Sequence, residues 1–372
     1  MLHLFNPYND IALAMQPTQR FTPPRQAALI AQAGALLPLW WAAEGDSILA
    51  PEASHDWANQ VKQQFGLQGD IYCGEGADKC APWGWSHDAK RRFIAAGVSY
   101  DSLPTDEELM RHRELSHRRI SSMIIDSMRS ALNFPLPPTP VEVFNEDSLW
   151  QAIDMMGGSA MVKLPYSTSG RGIIDTSTNQ GLNQLRHSAQ GMLRRQGSLM
   201  VEKRLDKMVD FAMLYDITHD GKVEFLGYSL FETVGDTSYS GNRLLPDEEI
   251  RLHLSQWVDM EQLMSVESAL QRVLQQVIGS HHAGPLGVDM VIYRSDSGSL
   301  LINPCIEVNL RMTMGVVAHH LTRHFYQGSP IWLNITPGTV ANTEKNIIQH
   351  LVPPNPHFTF AITENLPYLY AQ

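Results

Sequence analysis

A pair of apolar strands with a polar trio set into it constrains this chain more than any other feature. LGVDMVIYR (286–294) and SLLINPCIEVNL (299–310) are joined through Ser297-Gly298, a tight-turn signal. Asp289, Glu307 and Asn309 interrupt these otherwise apolar runs. Glu307 and Asn309 are two residues apart, so they share one sheet face, and Arg311, two further on, continues it. Two carboxylates and an amide oxygen are hard oxygen donors, the set that magnesium takes alongside phosphate oxygens. Without a cation, two carboxylates buried side by side resist joint ionisation. A structural ion pair of Arg311 with Glu307 or Asp289 is the other use these residues could have.

The second constraint is MVKLPYSTSGRGI (161–173), a short apolar strand carrying Lys163 and running into a small-residue loop. A lysine at a strand end, beside glycines and hydroxyls, suits a nucleotide polyphosphate. Glycine lets the backbone approach phosphate oxygens, and Ser and Thr add hydrogen bonds. The loop is neither a Walker A motif nor the GxGxxG dinucleotide fingerprint. A polar hairpin loop with a snorkelling lysine is the alternative reading.

Around these stretches the chain alternates strand and helix. LHLF opens as a buried strand and NPYND turns sharply after it, placing Asn6, Asn9 and Asp10 where open α/β sheets position ligand groups. An Asx-rich turn satisfying its own backbone is the simpler expectation there. Gln26–Ala35 reads as a helix, LLPLWWA (36–42) as a second strand, and His55–Phe65 as a helix. Residues 105–130 are helical in pattern, and the run RHRELSHRRI has the look of a solvated face. NFPLPPTP then breaks the helix with four prolines. LMVEK, FAMLYDITH and KVEFLGYSL form a strand series with a hairpin at Asp220-Gly221. ETVGDTSYSGNRLL (232–245) follows as a long loop. Val266, Ala269, Leu270, Val273, Leu274, Val277 and Ile278 repeat at helical spacing before Gly279. The residues after Pro330 suggest a helix and a strand. His320 and His324, four apart on one helix face, lack the HExxH pattern of a zinc helix.

A chain of 372 residues can bury a large core and hold more than one domain. Its charge of −11 argues against a general nucleic-acid or anionic-membrane binder, both of which want a basic face. Cys73, Cys80 and Cys305 cannot all pair and follow no zinc spacing, so reduced thiols in a cytoplasmic protein are expected. MLHLFNPYND has neither the basic region nor the apolar run of a signal peptide.

Taken in order, a lysine strand with a Gly-rich loop, a VEK strand, a strand aspartate and an ExNxR strand resemble the ATP-grasp superfamily, with motifs of the biotin carboxylase and carbamoyl phosphate synthetase style. The resemblance covers roughly residues 116–315. It implies an N-terminal α/β, Rossmann-like pre-ATP-grasp domain (1–112), then a two-subdomain α+β ATP-grasp fold (113–196 with the Gly-rich loop, 197–330 with the adenine hinge and magnesium site), completed by 331–372. It further implies that Lys163 contacts the α- and β-phosphates and that Ser167, Thr168, Ser169, Gly170, Arg171 and Gly172 cover them. Arg118 is the counterpart of an earlier phosphate-contacting basic residue, a lysine in most of the family. Glu202 would accept from the adenine amino group, the Lys203 and Leu205 backbones would read the ring edge, and Asp210 would meet the ribose. Asp289, Glu307 and Asn309 match the magnesium ligands, and Arg311 matches the arginine that lies near the transferred phosphoryl group or the carboxylate substrate; Arg311 and Lys163 are the catalytic residues implied. The cofactors implied are ATP and Mg2+, with Mn2+ as an acceptable substitute. The function implied is an ATP-dependent carboxylate–amine ligase acting through an acyl phosphate. An ATP-grasp small-molecule kinase and a catalytically silent ATP-binding protein are the alternatives. The expected partners are a small carboxylate and an amine, with a homodimer allowed and no nucleic acid or membrane. Tyr239, Asn242 and Arg243 are candidate substrate contacts.

Overall fold

The structure is a computed structural model, and it describes residues 1–15, 20–74, 77–167, 170, 172–234, 238–338 and 346–365. The chain runs first through a parallel sheet. β1 (Leu2–Leu4) is buried throughout and pairs in parallel with β2 (Ser47–Ile48) and β4 (Cys80–Pro82); β3 (Asp70–Ile71) extends the far edge in the order β3-β2-β1-β4. Parallel neighbours require crossover connections, and helices Arg25–Ala33 and His55–Phe65 lie in them. The expected second strand at 36–42 is instead a buried 3-10 turn, Leu37–Trp40. Pro38 has no N–H to give a ladder, and Trp40 sends its indole N–H to the Leu351 carbonyl, 2.6 Å away.

The second sheet is small and antiparallel. β5 (Val141–Val143), β6 (Ala160–Lys163), β7 (Ile173–Asp175) and β8 (Leu199–Lys203) run in the order β5-β8-β6-β7. Helices Glu146–Met155 and Asn179–Gln196 pack on it through Leu149, Ile153 and Leu185, and both start on side-chain caps, Asn145 and Thr178.

The third sheet has eight strands, all paired antiparallel: β9 (Asp206–Ile217), β10 (Val223–Val234), β11 (Ser238–Leu244), β12 (Gly284–Arg294), β13 (Leu300–Asn309), β14 (Ile331–Pro337), β15 (Ile347–His350) and β16 (Phe358–Thr363). Their order is β13-β12-β9-β10-β11-β14-β16-β15. Gly221, at φ 83°, makes the expected tight turn between β9 and β10. Helix Met260–Val277 buries its stripe of Leu263, Val266, Ala269, Leu270, Val273 and Leu274 against this sheet.

Two expectations fail here. The segment 232–245 is largely strand, because β11 is zipped on both sides, to β10 and to β14, and its small residues leave room for both neighbours. The residues after Pro330 give three strands and no α-helix among those described; the β-branched Ile347 and Ile348 open β15, which pairs with β16. Among the described residues no helix is long and apolar enough to cross a membrane.

The helical stretch 105–130 divides into Asp106–Leu115, begun by a Thr105–Glu108 capping box, and Arg119–Arg129. The run expected to be a solvated face is partly inside: His112 and His117 are each 4% exposed and Arg118 is 7% exposed. Burial lowers both imidazoles to about 3; around His117 the charges of Arg119, Arg113 and Arg118 add to it. Both rings are therefore neutral in the fold, whereas in the unfolded chain they take up protons below about 6.5. Their contribution is complete above that pH and is lost as pH falls towards 3, by up to ~1.4 kcal/mol per pH unit for each ring. Urea unfolding should show a lower stability at pH 5 than at pH 7, and His112→Leu should make that slope shallower; an unchanged slope would show that His112 titrates normally.

Candidate active site

A cleft of about 600 Å³ is lined by residues of the second and third sheets and of the segments that follow β1 and β4. The break between helices Asp106–Leu115 and Arg119–Arg129 sets Arg118 at its wall. The Arg118 guanidinium donates through Nη1 to the Leu164 carbonyl (2.7 Å) and Ser167 Oγ (2.8 Å), and through Nη2 to Glu307 Oε2 (2.8 Å). One buried side chain thus links the loop after β6 to a carboxylate on β13. Lys163 ends β6, 4% exposed, and forms an ion pair with Glu202 of β8. That pairing follows from register: Met161 lies opposite Glu202, so Lys163, two residues on, shares its face.

Asp289 and Glu307 are directly opposed across the β12–β13 ladder, beside a bulge between Asp289 and Val291. Burial, then the charge of Glu307, raises Asp289 to about 7. Burial pushes Glu307 upward too, but the charge and hydrogen bond of Arg118, with the charges of Lys163 and Arg311, outweigh it and hold the carboxyl below its usual range. Asp289 is therefore the carboxyl short of compensation. Asn309 donates to it from Nδ2 (2.9 Å), and the Asn309 Oδ1 accepts from Arg311 Nη2 (2.8 Å). Two register-paired carboxylates with uneven compensation fit a divalent cation. The amide oxygen fits only if it leaves Arg311. Among the described residues no group of three His, Cys, Asp or Glu side chains could hold a metal.

The alternative reading of Arg311, an ion pair with Glu307 or Asp289, is not what forms. Its partner is Asp10, bound through Nε (3.1 and 2.9 Å to the two oxygens) and Nη2 (2.6 Å). The NPYND turn after β1 is correspondingly not just an Asx turn closed on itself. Asn6 does tie down the backbone, exchanging bonds with Gly84 N and O, but Asp10 reaches across the fold to the far end of β13. An acid just past the carboxyl end of a parallel strand was the only signal for this contact.

The remaining predicted residues are distributed as follows. Ser167, Gly170, Lys203, Leu205 and Asp210 line the cleft. The Lys203 ammonium is turned to Asp296, 2.7 Å away, and Asp210 accepts from Lys207 (2.6 Å) and Thr233 (3.1 Å). Gly172, at φ 72°, passes so close to Leu164 that an added Cβ would lie 2.5 Å from its Cδ1. Thr168, Ser169 and Arg171 fall outside the described residues. Of the three candidate substrate contacts, Tyr239 and Asn242 line the cleft, with Asn242 donating to Ser229 Oγ (2.7 Å). Arg243 instead pairs with Glu232 (2.8 Å) and covers the Trp332 ring. His320 stacks on Trp41 and His324 accepts from Arg323. Sequence patterns missed the apolar lining from Tyr8, Ile11, Ala27 and Ile30, and from Ile335 and Phe358.

No protein-family model matches the chain, and no curated protein does. Solved structures do. Biotin carboxylase from Campylobacter jejuni, in a beta-gamma-ATP complex, is 11% identical with a TM-score of 0.52 over 98% of this chain and 87% of its own. N5-carboxyaminoimidazole ribonucleotide synthetase from Thermus thermophilus is 16% identical, TM-score 0.50, over 98% and 94%. An ADP complex of an N5-carboxyaminoimidazole ribonucleotide synthetase is 12% identical, TM-score 0.50, over 98% and 92%. The chain has the fold of the ATP-grasp proteins, a mixed α/β architecture with several sheets.

Removing Asp10 leaves a largely buried guanidinium without its main partner, so Asp10→Ala should lower the unfolding free energy by about 3 kcal/mol in urea titration. A loss below about 1 kcal/mol would mean that water or another acid takes over the pair.

Proposed function

We propose that this chain is an ATP-dependent carboxylate–amine ligase that works through an acyl phosphate. What supports this most is a single convergence: Lys163, Arg118 and the acidic pair Asp289–Glu307 come from three distant parts of the chain and meet in one cleft, on a fold whose solved examples include ADP and ATP-type complexes. In this reading residues 1–112 are the pre-ATP-grasp domain and 113–196 and 197–330 the two nucleotide-clasping subdomains. Of residues 331–372, the strands β14, β15 and β16 extend the larger sheet.

The adenine lies at the Glu202–Leu205 strand end and the ribose near Asp210. Lys163 would exchange its Glu202 partner for the α- and β-phosphates, beside Ser167 and Gly170, which line the same cleft. Arg118, already anchored to Ser167, keeps that residue beside Glu307. Asp289 and Glu307 would hold magnesium, joined by Asn309 once its amide oxygen leaves Arg311, and the ion would supply charge neutralisation for phosphoryl transfer. Arg311, held by Asp10, orients the acid whose carboxylate oxygen attacks the γ-phosphorus as ADP leaves. An amine then attacks the acyl carbon, phosphate departs, and the amine nitrogen gives up a proton to yield the amide.

Phosphate release from ATP should require both an acid and an amine. Glu307→Gln should cut it by at least about 100-fold while the protein stays folded, and Lys163→Met should raise the KM for ATP. Release that needs no amine and leaves a stable phosphorylated product would replace the ligase with a kinase; wild-type rates in Glu307→Gln would remove the metal assignment.

A further inference from the structure

The two walls of the cleft differ in chemistry. The part of the lining made by the small sheet, by β9, β12 and β13 and by the helix break at 118 carries Arg118, Lys163, Glu202, Asp210, Asp289 and Glu307. A second wall is made by the two ends of the chain. Tyr8 and Ile11 come from the segment after β1, Ala27 and Ile30 from helix Arg25–Ala33, and Ile335 and Phe358 from β14 and β16. No described residue that positions 1–90 or 331–365 add to the lining is charged. The Tyr8 hydroxyl is occupied, accepting from Arg92 and donating to Asp88. Ile11, Ile30 and Ile335 are only half-buried, so apolar surface is left facing the cleft.

This wall is a built part of the fold. Phe5 of the N-terminal segment meets Phe360 of β16 edge-on at 5.9 Å and Trp83 at 5.0 Å, and Trp83 accepts through its carbonyl from Met312 N (2.8 Å). Met312 follows Arg311, which therefore stands where the two walls meet. Of the five N–H groups of that guanidinium, Nε is bound to Asp10, one on Nη1 to the Met312 carbonyl, and both on Nη2 to Asp10 and Asn309. One Nη1 hydrogen is left for an acceptor among the described residues.

We infer that the acid activated in this cleft has an apolar aliphatic or aromatic body, its carboxylate at Arg311 and its body against Ile11, Ile30, Ile335 and Phe358. The activation step rests on the ligase reading; the body's recognition rests on the wall. A phosphorylated or polyhydroxylated acid would give up its water against a surface that offers no cation and no free donor, which disfavours it. An apolar body gains from the same contact.

Hydroxylamine traps an acyl phosphate as a hydroxamate without knowledge of the natural amine, so it suits the test. Hydroxamate formation with Mg–ATP is measured for hexanoate, 3-phenylpropionate, acetate, gluconate and 3-phosphoglycerate. The expected result is a kcat/KM for hexanoate or 3-phenylpropionate at least about tenfold above the other three, and loss of that preference in Ile30→Asp with ATP affinity retained. A preference for gluconate or 3-phosphoglycerate in the wild-type protein overturns the inference whatever the variant does. If no acid yields hydroxamate, the ligase reading fails, and the wall is judged by binding. A rise in melting temperature with 3-phenylpropionate and a non-hydrolysable ATP analogue, absent in Ile30→Asp, upholds it; no rise overturns it.

Discussion

The Arg118 guanidinium is the contact on which the rest of the cleft depends. It is buried, and its hydrogen bonds run to a backbone carbonyl and a hydroxyl on the loop after β6 and to a carboxylate on β13. These belong to two different sheets, so one planar group sets how far the small-residue loop stands from the acidic pair. With Lys163 and Arg311 it also holds one of the two carboxyls below its usual range. Glu307 has Arg118 beside it and stays charged, while Asp289, across the ladder, is pushed up to about 7. Breaking such a pair strands a charge in low dielectric, a far larger loss than any surface ion pair would cause.

Much of this was legible in the chain because it is local. The apolar stripe of helix Met260–Val277, the Asp220-Gly221 turn and the polar interruptions of β12 and β13 all rest on spacings of a few residues. Where several conformations suit the same residues, legibility fails. The run 36–42 is apolar without a period, so it could not be told from a strand, and Pro38 with the long-range bond of Trp40 decided otherwise. The Gly- and Ser-rich segment after β10 has loop composition but strand partners on both sides. The basic run around residue 117 has the composition of a solvated face, yet a carboxylate 189 residues away draws Arg118 inside.

The fold itself carries little information about the substrate. Structures that share it at 11–16% identity include a biotin carboxylase and ribonucleotide synthetases, and a shared frame leaves the reaction to the side chains set on it. In this chain the charged wall and the uncharged wall are made by different parts of the sequence. The middle supplies every charged side chain of the lining together with apolar ones, and the two termini add only uncharged residues.

The pair between Asp10 and Arg311 spans 301 positions, and this matters to a chain that is synthesised from one end. The strands of the parallel sheet are made first, but Asp10 stays unmatched and the apolar face that meets residues 316–362 stays uncovered until the rest of the chain has been made. The loop closed by this one ion pair takes in most of the molecule, and contacts of such reach form late and slowly. The cleft is therefore among the last regions to become native, and a chain stalled before residue 311 would leave Asp10 without its partner and the N-terminal core without the residues that cover it.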